Sequence, residues 1–170
     1  MLYYKNLRRV VYLNFSSLLA KTPGALAKVY GSPDNPDLEG IVKFYETDLG
    51  AIVVAQITGL PQTEGVCGSG VFAFHIHEGD ACSGDSNDFF ASALTHYNPD
   101  GCPHPYHAGD MPPLLGAGGI AFTAFLTDRF SVREIIGKTV IIHNSPDDFS
   151  TQPSGNAGKK IACGVIIQAP

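Results

Sequence analysis

Residues 70–77 read Gly-Val-Phe-Ala-Phe-His-Ile-His and alternate without a break. In an extended chain Phe72, Phe74 and Ile76 point one way, and Val71, Ala73, His75 and His77 point the other. The bulky apolar set belongs in a core. The two histidines therefore project together from the opposite face, about 7 Å apart along the strand. Six more segments carry the same signal, β-branched and aromatic residues bounded by Gly, Pro, Asn or Asp: 27–30, 40–46, 51–59, 119–126, 138–143 and 161–168. In the 138–143 segment, parity puts His143 on one face with Thr139 and Ile141. With 19 Gly and 12 Pro in 170 residues, the composition favours many turns and an all-β chain. Stretches 31–37 and 47–50 read as turns. Two longer stretches, 78–118 and 144–160, have little strand character, and each begins directly after a histidine. Long loops in a compact domain are usually functional, and that placement favours function here.

The length suits one domain, expected over residues 25–170. A net charge of −5 argues against nucleic acid and anionic membrane surfaces as partners. No apolar run approaches the roughly 20 residues of a membrane span. Residues 1–24 read as an N-terminal extension. Lys5, Arg8 and Arg9 precede an apolar run at 10–15, but Asn14, Ser16 and Ser17 interrupt the pattern and no small-x-small cleavage site follows. A short amphipathic helix is the expectation over a signal peptide. The four cysteines, Cys67, Cys82, Cys102 and Cys163, form no C-x-x-C pair and permit two disulfides in three connectivities. Disulfides favour an extracytoplasmic site and the weak leader a cytoplasmic one, so the two signals conflict.

The six histidines divide by spacing. His75 and His77 form H-x-H on a strand. His104 and His107 form H-x-x-H, followed by Asp110, in a loop rich in Gly and Pro. His96 lies between these groups and His143 ends a late strand. Three histidines and one aspartate make a closed zinc set, and four imidazoles suit Cu(II). Six histidines and Asp110 supply one ligand fewer than two four-coordinate sites require. An imidazole bridging through both ring nitrogens resolves the shortfall, and His96 is placed for it. A lone histidine is more often a hydrogen-bonded residue than a ligand, but here no histidine is left outside the set. Asp80, Asp85, Asp88 and Asp100 share the loop and read as solvated turn residues, a reading equally open to Asp110 on spacing alone. A binuclear zinc hydrolase fits less well. Its H-x-H is usually joined by an Asp-His pair, whereas here E-G-D follows, and Glu78 points away from His77 by strand parity.

At these residues the sequence resembles the copper/zinc superoxide dismutase family. The matching stretches are FHIHEGD (74–80), THYNP (95–99), HPYHAGD (104–110), GKTVIIHNSPDD (137–148) and GNAGKKIACGVI (155–166), in family order, within a resemblance spanning 26–168. The resemblance implies an eight-stranded antiparallel Greek-key barrel or sandwich with two long functional loops. An eighth strand is then expected within 116–127 or just before it. The immunoglobulin-like sandwich architecture of this enzyme is a known example of that fold. The resemblance also implies that His75, His77, His96 and His143 bind copper and that His96, His104, His107 and Asp110 bind zinc. Asp147 would link a copper histidine to a zinc histidine, a role that spacing alone does not suggest. Cys82 and Cys163 would form the family's intrasubunit disulfide, leaving Cys67 and Cys102 either paired or free.

The activity implied is disproportionation of superoxide at copper. His96 would also act as a proton donor, and zinc would set its basicity. The alternative is a non-catalytic copper/zinc-binding protein on the same fold. The chain departs from the family in three places. Lys160 stands where the family has an arginine that guides the anion; it keeps the charge but loses the planar fork of donors. It is expected to attract superoxide with weaker orientation, with Lys159 adding to the field. The 144–160 loop is short and nearly uncharged before Lys159, which implies an open copper site, whereas 81–94 is long and reads as a lid or a partner surface. A homodimer is the family expectation, with Phe89, Phe90 and residues 111–115 as apolar candidates for an interface or, equally, for core or loop packing.

Overall fold

The computed structural model describes Ser17, residues 20–62, Gly65 and residues 70–170. Most of the 1–24 extension lies outside the described residues, as does Cys67 and with it any Cys67–Cys102 bridge. Among the described residues nine strands form: β1 (Ala25–Gly31), β2 (Glu39–Thr47), β3 (Gly50–Thr58), β4 (Val71–Phe72), β5 (Phe74–His77), β6 (Leu114–Leu115), β7 (Ala121–Thr127), β8 (Thr139–His143) and β9 (Lys160–Gln168). Every pairing is antiparallel. One curled sheet runs β5-β8-β9-β1-β2-β3-β7, and β4 pairs with β6. The chain leaves the β1-β2-β3 meander for the far edge, returns to β3 with β7, and crosses again to β8 and β9. Such long returns beside earlier strands make a Greek key.

The 70–77 segment is two strands rather than one. At Ala73 the ladder breaks: its N–H donates to Ser145 O at 2.8 Å and its carbonyl accepts from His143 N at 2.9 Å. Beyond that point Phe74–His77 pairs with β8, while Val71–Phe72 turns to β6. β6 leads through the Ala117–Ile120 bridge into β7, so this short pair joins the two edges of the curled sheet. β6 is the extra strand expected just before residue 116, and it is only two residues long.

Alternation survives the break. Phe72, Phe74 and Ile76 join Val29, Val42, Phe44, Val53 and Ile142 in one core cluster. Burial of side chains of this size stabilises by about 1.5–3 kcal/mol each. On the outer face of β8 and β9 a separate cluster forms from Phe90, Ala93, Ile141 and Cys163, with Phe89 packed against it. This cluster seats the 81–94 segment on the sheet. Of the apolar residues at 89–90 and 111–115, Phe90, Met111 and Leu114 take the packing role and are buried within the chain, while Leu115 is exposed.

Cys82 and Cys163, 81 positions apart in sequence, form a disulfide with Cα atoms 5.6 Å apart. It anchors the long loop to β9 beside that cluster. Closing a loop of this length stabilises by about 4–5 kcal/mol through the entropy of the unfolded chain. Cys82→Ser is therefore expected to lower the unfolding free energy by an amount of that order, seen as a lower midpoint of reversible urea unfolding. An unchanged midpoint would show that Phe90 and its neighbours seat the loop without the covalent link.

Candidate metal centre

β5 is an edge strand, and the loop after it folds back along its open side. Ile76 N–H donates to Gly109 O at 2.9 Å, Tyr97 N–H to Ile76 O at 2.8 Å, and Glu78 N–H to Thr95 O at 2.9 Å. These bonds align His96 opposite His77 and Asp110 opposite His75. His143 arrives at the end of the adjacent strand β8. Residues separated by up to 68 positions thus meet over one sheet face, all of them buried. Two four-residue groups result: His75, His77, His96 and His143, and His96, His104, His107 and Asp110. In each, the ligand atoms lie within 4.8 Å of one another, and His96 belongs to both.

The outward hydrogen bonds fix which ring nitrogens face inward. His77 Nδ1 is 2.8 Å from Leu94 O, and His143 Nδ1 is 3.2 Å from Gly158 O. Carbonyl oxygens only accept, so both Nδ1 atoms carry the proton and both Nε2 atoms are bare. Those two lone pairs face each other at 3.3 Å. His75 Nε2 and His104 Nε2 each donate to Asp147, at 2.8 Å to Oδ2 and Oδ1 respectively. Their Nδ1 atoms are then bare, buried and without hydrogen-bond partners. His104 Nδ1 lies 3.1 Å from Asp110 Oδ2, too poorly aligned to bond and with no proton to share. His96 turns both nitrogens inward: Nδ1 sits 2.7 Å from Asp110 Oδ1 and 3.3 Å from His107 Nδ1, while Nε2 is buried without a partner.

Opposed lone pairs and an unbonded carboxylate contact repel unless a cation lies between them. Ligands about 2.0–2.1 Å from a tetrahedral metal are about 3.3 Å from each other. The contacts of His77 with His143, His96 with His107, and His107 with Asp110 are each 3.3 Å. The residues fit two metal ions, one on each side of His96.

Charge states agree. Burial pushes His143 down to about 3, with repulsion from a charged His75 adding to it. Burial likewise holds His77 well below the ordinary range, and it lowers His75 and His107 despite their carboxylate neighbours. For Asp147, burial works to raise the pKa, but the bonds from His75, Phe149 N–H and His104 outweigh it and keep the carboxyl ionised. Asp110 is lowered in the same way, burial opposing and His96 prevailing. Neutral imidazoles and ionised carboxylates are the metal-binding forms.

Several supporting residues carry no sequence signal of their own. Gln152 clamps His104, accepting from its N–H at 2.9 Å and donating to its carbonyl at 2.7 Å. Arg129 Nη1 donates to the carbonyls of Pro105, His107 and Asp110 at 2.9, 3.3 and 3.2 Å, cross-bracing the loop from the barrel side. Gly155, at φ +65°, lies against Asp147, where a Cβ would collide with Asp147 Oδ1 and His104 Nε2. Lys160 is also at the site, but its ammonium is bonded to Asp88 Oδ2 at 2.8 Å and Phe90 O at 2.9 Å. Lys159 is exposed at the rim.

Residues 38–166 match the family described as copper/zinc superoxide dismutase (SODC). The chain belongs to this family. Among superoxide dismutase relatives, it is 35% identical over 142 residues to Superoxide dismutase [Cu-Zn] 2 of Aquifex aeolicus, covering 75% of this chain and 78% of that protein. It is 34% identical over 150 residues to Superoxide dismutase [Cu-Zn] A of Xenopus laevis, covering 79% and 92%. A double mutant of a SOD-like protein from Bacillus subtilis superimposes with a TM-score of 0.66 at 26% identity, over 84% of this chain and 96% of that one.

The depressed histidines dictate how the metal-free protein responds to acid. The unfolded chain takes up protons near pH 6.5, whereas folded His143 resists until about 3. The unfolded state therefore binds more protons in that window, and stability must fall as pH falls through it. Thermal midpoints of metal-free protein are expected to drop steadily from pH 6.5 toward 3. A flat profile would mean that these histidines are not buried neutral.

Proposed function

We propose that the chain converts two superoxide ions and two protons to dioxygen and hydrogen peroxide. Copper would be held by His75, His77, His96 and His143, and zinc by His96, His104, His107 and Asp110. The observation that carries this reading is the pair of ligand groups sharing one imidazole with both nitrogens turned inward.

Copper, when bound, supplies the one-electron couple; zinc has no accessible redox state. The chain's own residues do the rest. Asp147 orients His75 and His104 together, so each presents Nδ1 at a fixed angle and with raised basicity. His96 Nε2 is the atom at which a proton can be held beside the substrate and given to the departing peroxide. His77, His96, His143 and Lys160 line one cavity of about 1000 Å³, which gives an anion access from solvent. Lys160 stands where the family has its guiding arginine and lines this cavity with its ammonium bonded to Asp88. The 25–170 region acts as one catalytic domain, and the Cys82–Cys163 disulfide favours an extracytoplasmic site. A non-catalytic metal-binding role on this fold would not require four complete copper ligands.

His143→Ala removes one copper ligand and leaves the zinc group whole. In copper- and zinc-loaded protein it is expected to lose at least tenfold in superoxide consumption and to change the Cu(II) EPR spectrum while retaining zinc. Wild-type activity at free-copper background, or an unchanged variant, contradicts the enzymatic reading.

A further inference from the structure

Asp88 sits opposite Lys160 across the mouth of the metal cleft. Its carboxylate has two fixed partners. Oδ1 accepts from Phe90 N–H at 3.1 Å, and Oδ2 accepts from Lys160 Nζ at 2.8 Å. The turn that carries Asp88 is itself closed: Asp85 N–H donates to Asp88 O at 3.1 Å, and Asn87 N–H to Asp85 Oδ1 at 2.8 Å. That turn belongs to the loop tied by Cys82 to Cys163, three residues beyond Lys160 on β9. Phe90 O takes a second proton of the same ammonium at 2.9 Å. Lys160 is thus held on both sides, with only 14% of its side chain exposed.

The consequence is electrostatic. The charged side chains lining the cavity are Asp34, Asp88, Lys159 and Lys160, two of each sign. The cation expected to draw an anion toward His77 and His143 is matched by a carboxylate in contact with it. Resting on the copper reading of that site, we propose that Asp88 is a specificity-determining residue: it anchors Lys160 and cancels its charge, restraining anion entry to the cleft. An unpaired lysine there would increase the local concentration of any small anion, because a low-dielectric cleft focuses the field of its charges. Asparagine at position 88 removes the charge and keeps one acceptor oxygen, which can take the Lys160 proton while the bond from Phe90 N–H is given up; Phe90 O still accepts from Lys160 Nζ at 2.9 Å and holds the lysine from its other side.

The probe is azide, titrated into copper- and zinc-loaded protein and followed by its charge-transfer absorption, so that no turnover is required. D88N is expected to bind azide about threefold more tightly at low salt, to raise kcat/KM for superoxide by a similar factor, and to make both fall more steeply with ionic strength. K160Q is expected to weaken azide binding. Wild-type protein, whose cleft charges are paired, should show a shallow salt dependence in the same titration, a result that needs no variant to fold. Unchanged or weaker azide binding in D88N, or a steep salt dependence in the wild type, overturns the proposal. Tighter azide binding in D88N with no superoxide turnover in any variant upholds it and rejects dismutation instead.

Discussion

The Asp147 carboxylate, gripped by His75 Nε2 and His104 Nε2 at 2.8 Å each, is the contact on which the centre depends. It dictates where two protons reside and so forces two bare Nδ1 atoms inward, one into each ligand group. It also ties together three parts of the chain: strand β5, the loop bearing His104, and the loop after β8. Desolvation works to raise the pKa of so buried a carboxylate, and it stays ionised because three hydrogen bonds outweigh the loss of water. Gly155 leaves the space this arrangement needs, since any side chain there would displace Asp147 or His104.

A second constraint is the open edge of β5. An edge strand left bare exposes unpaired backbone groups. Here the returning loop satisfies them at Ile76 and Glu78, and the same bonds set His96 and Asp110 over the sheet. Sheet pairing and ligand placement are therefore one structural event. The barrel supplies the rigid floor, and the disulfide and the Phe90 cluster hold the wall that faces Lys160.

Some of this was legible in the chain and some was not. The face carrying His75 and His77 follows from a period of two, which leaves no other placement once Phe72, Phe74 and Ile76 enter the core. The shared role of His96 followed from counting donors. The break at Ala73 was hidden, because the residue is small, apolar and in phase with its neighbours, and only the closing of the curled sheet makes it change partners. β6 is too short for any alternation to register. Asp147, Asp88 and Arg129 look like turn or surface residues because their partners are 19 to 72 positions away. Asp147 was reached by family resemblance, and the other two only by the folded geometry. For Lys160 the motif indicates a guiding cation, and the fold adds a counter-ion that the motif does not show.

The central claim is that one imidazole, His96, separates two metal ions. Anomalous diffraction from crystals of copper- and zinc-loaded protein, collected on each side of both metal absorption edges, tests it directly. The account requires two peaks flanking the His96 ring: copper on the Nε2 side among His75, His77 and His143, and zinc on the Nδ1 side among His104, His107 and Asp110. A single peak, or two peaks that do not both contact His96, would contradict it.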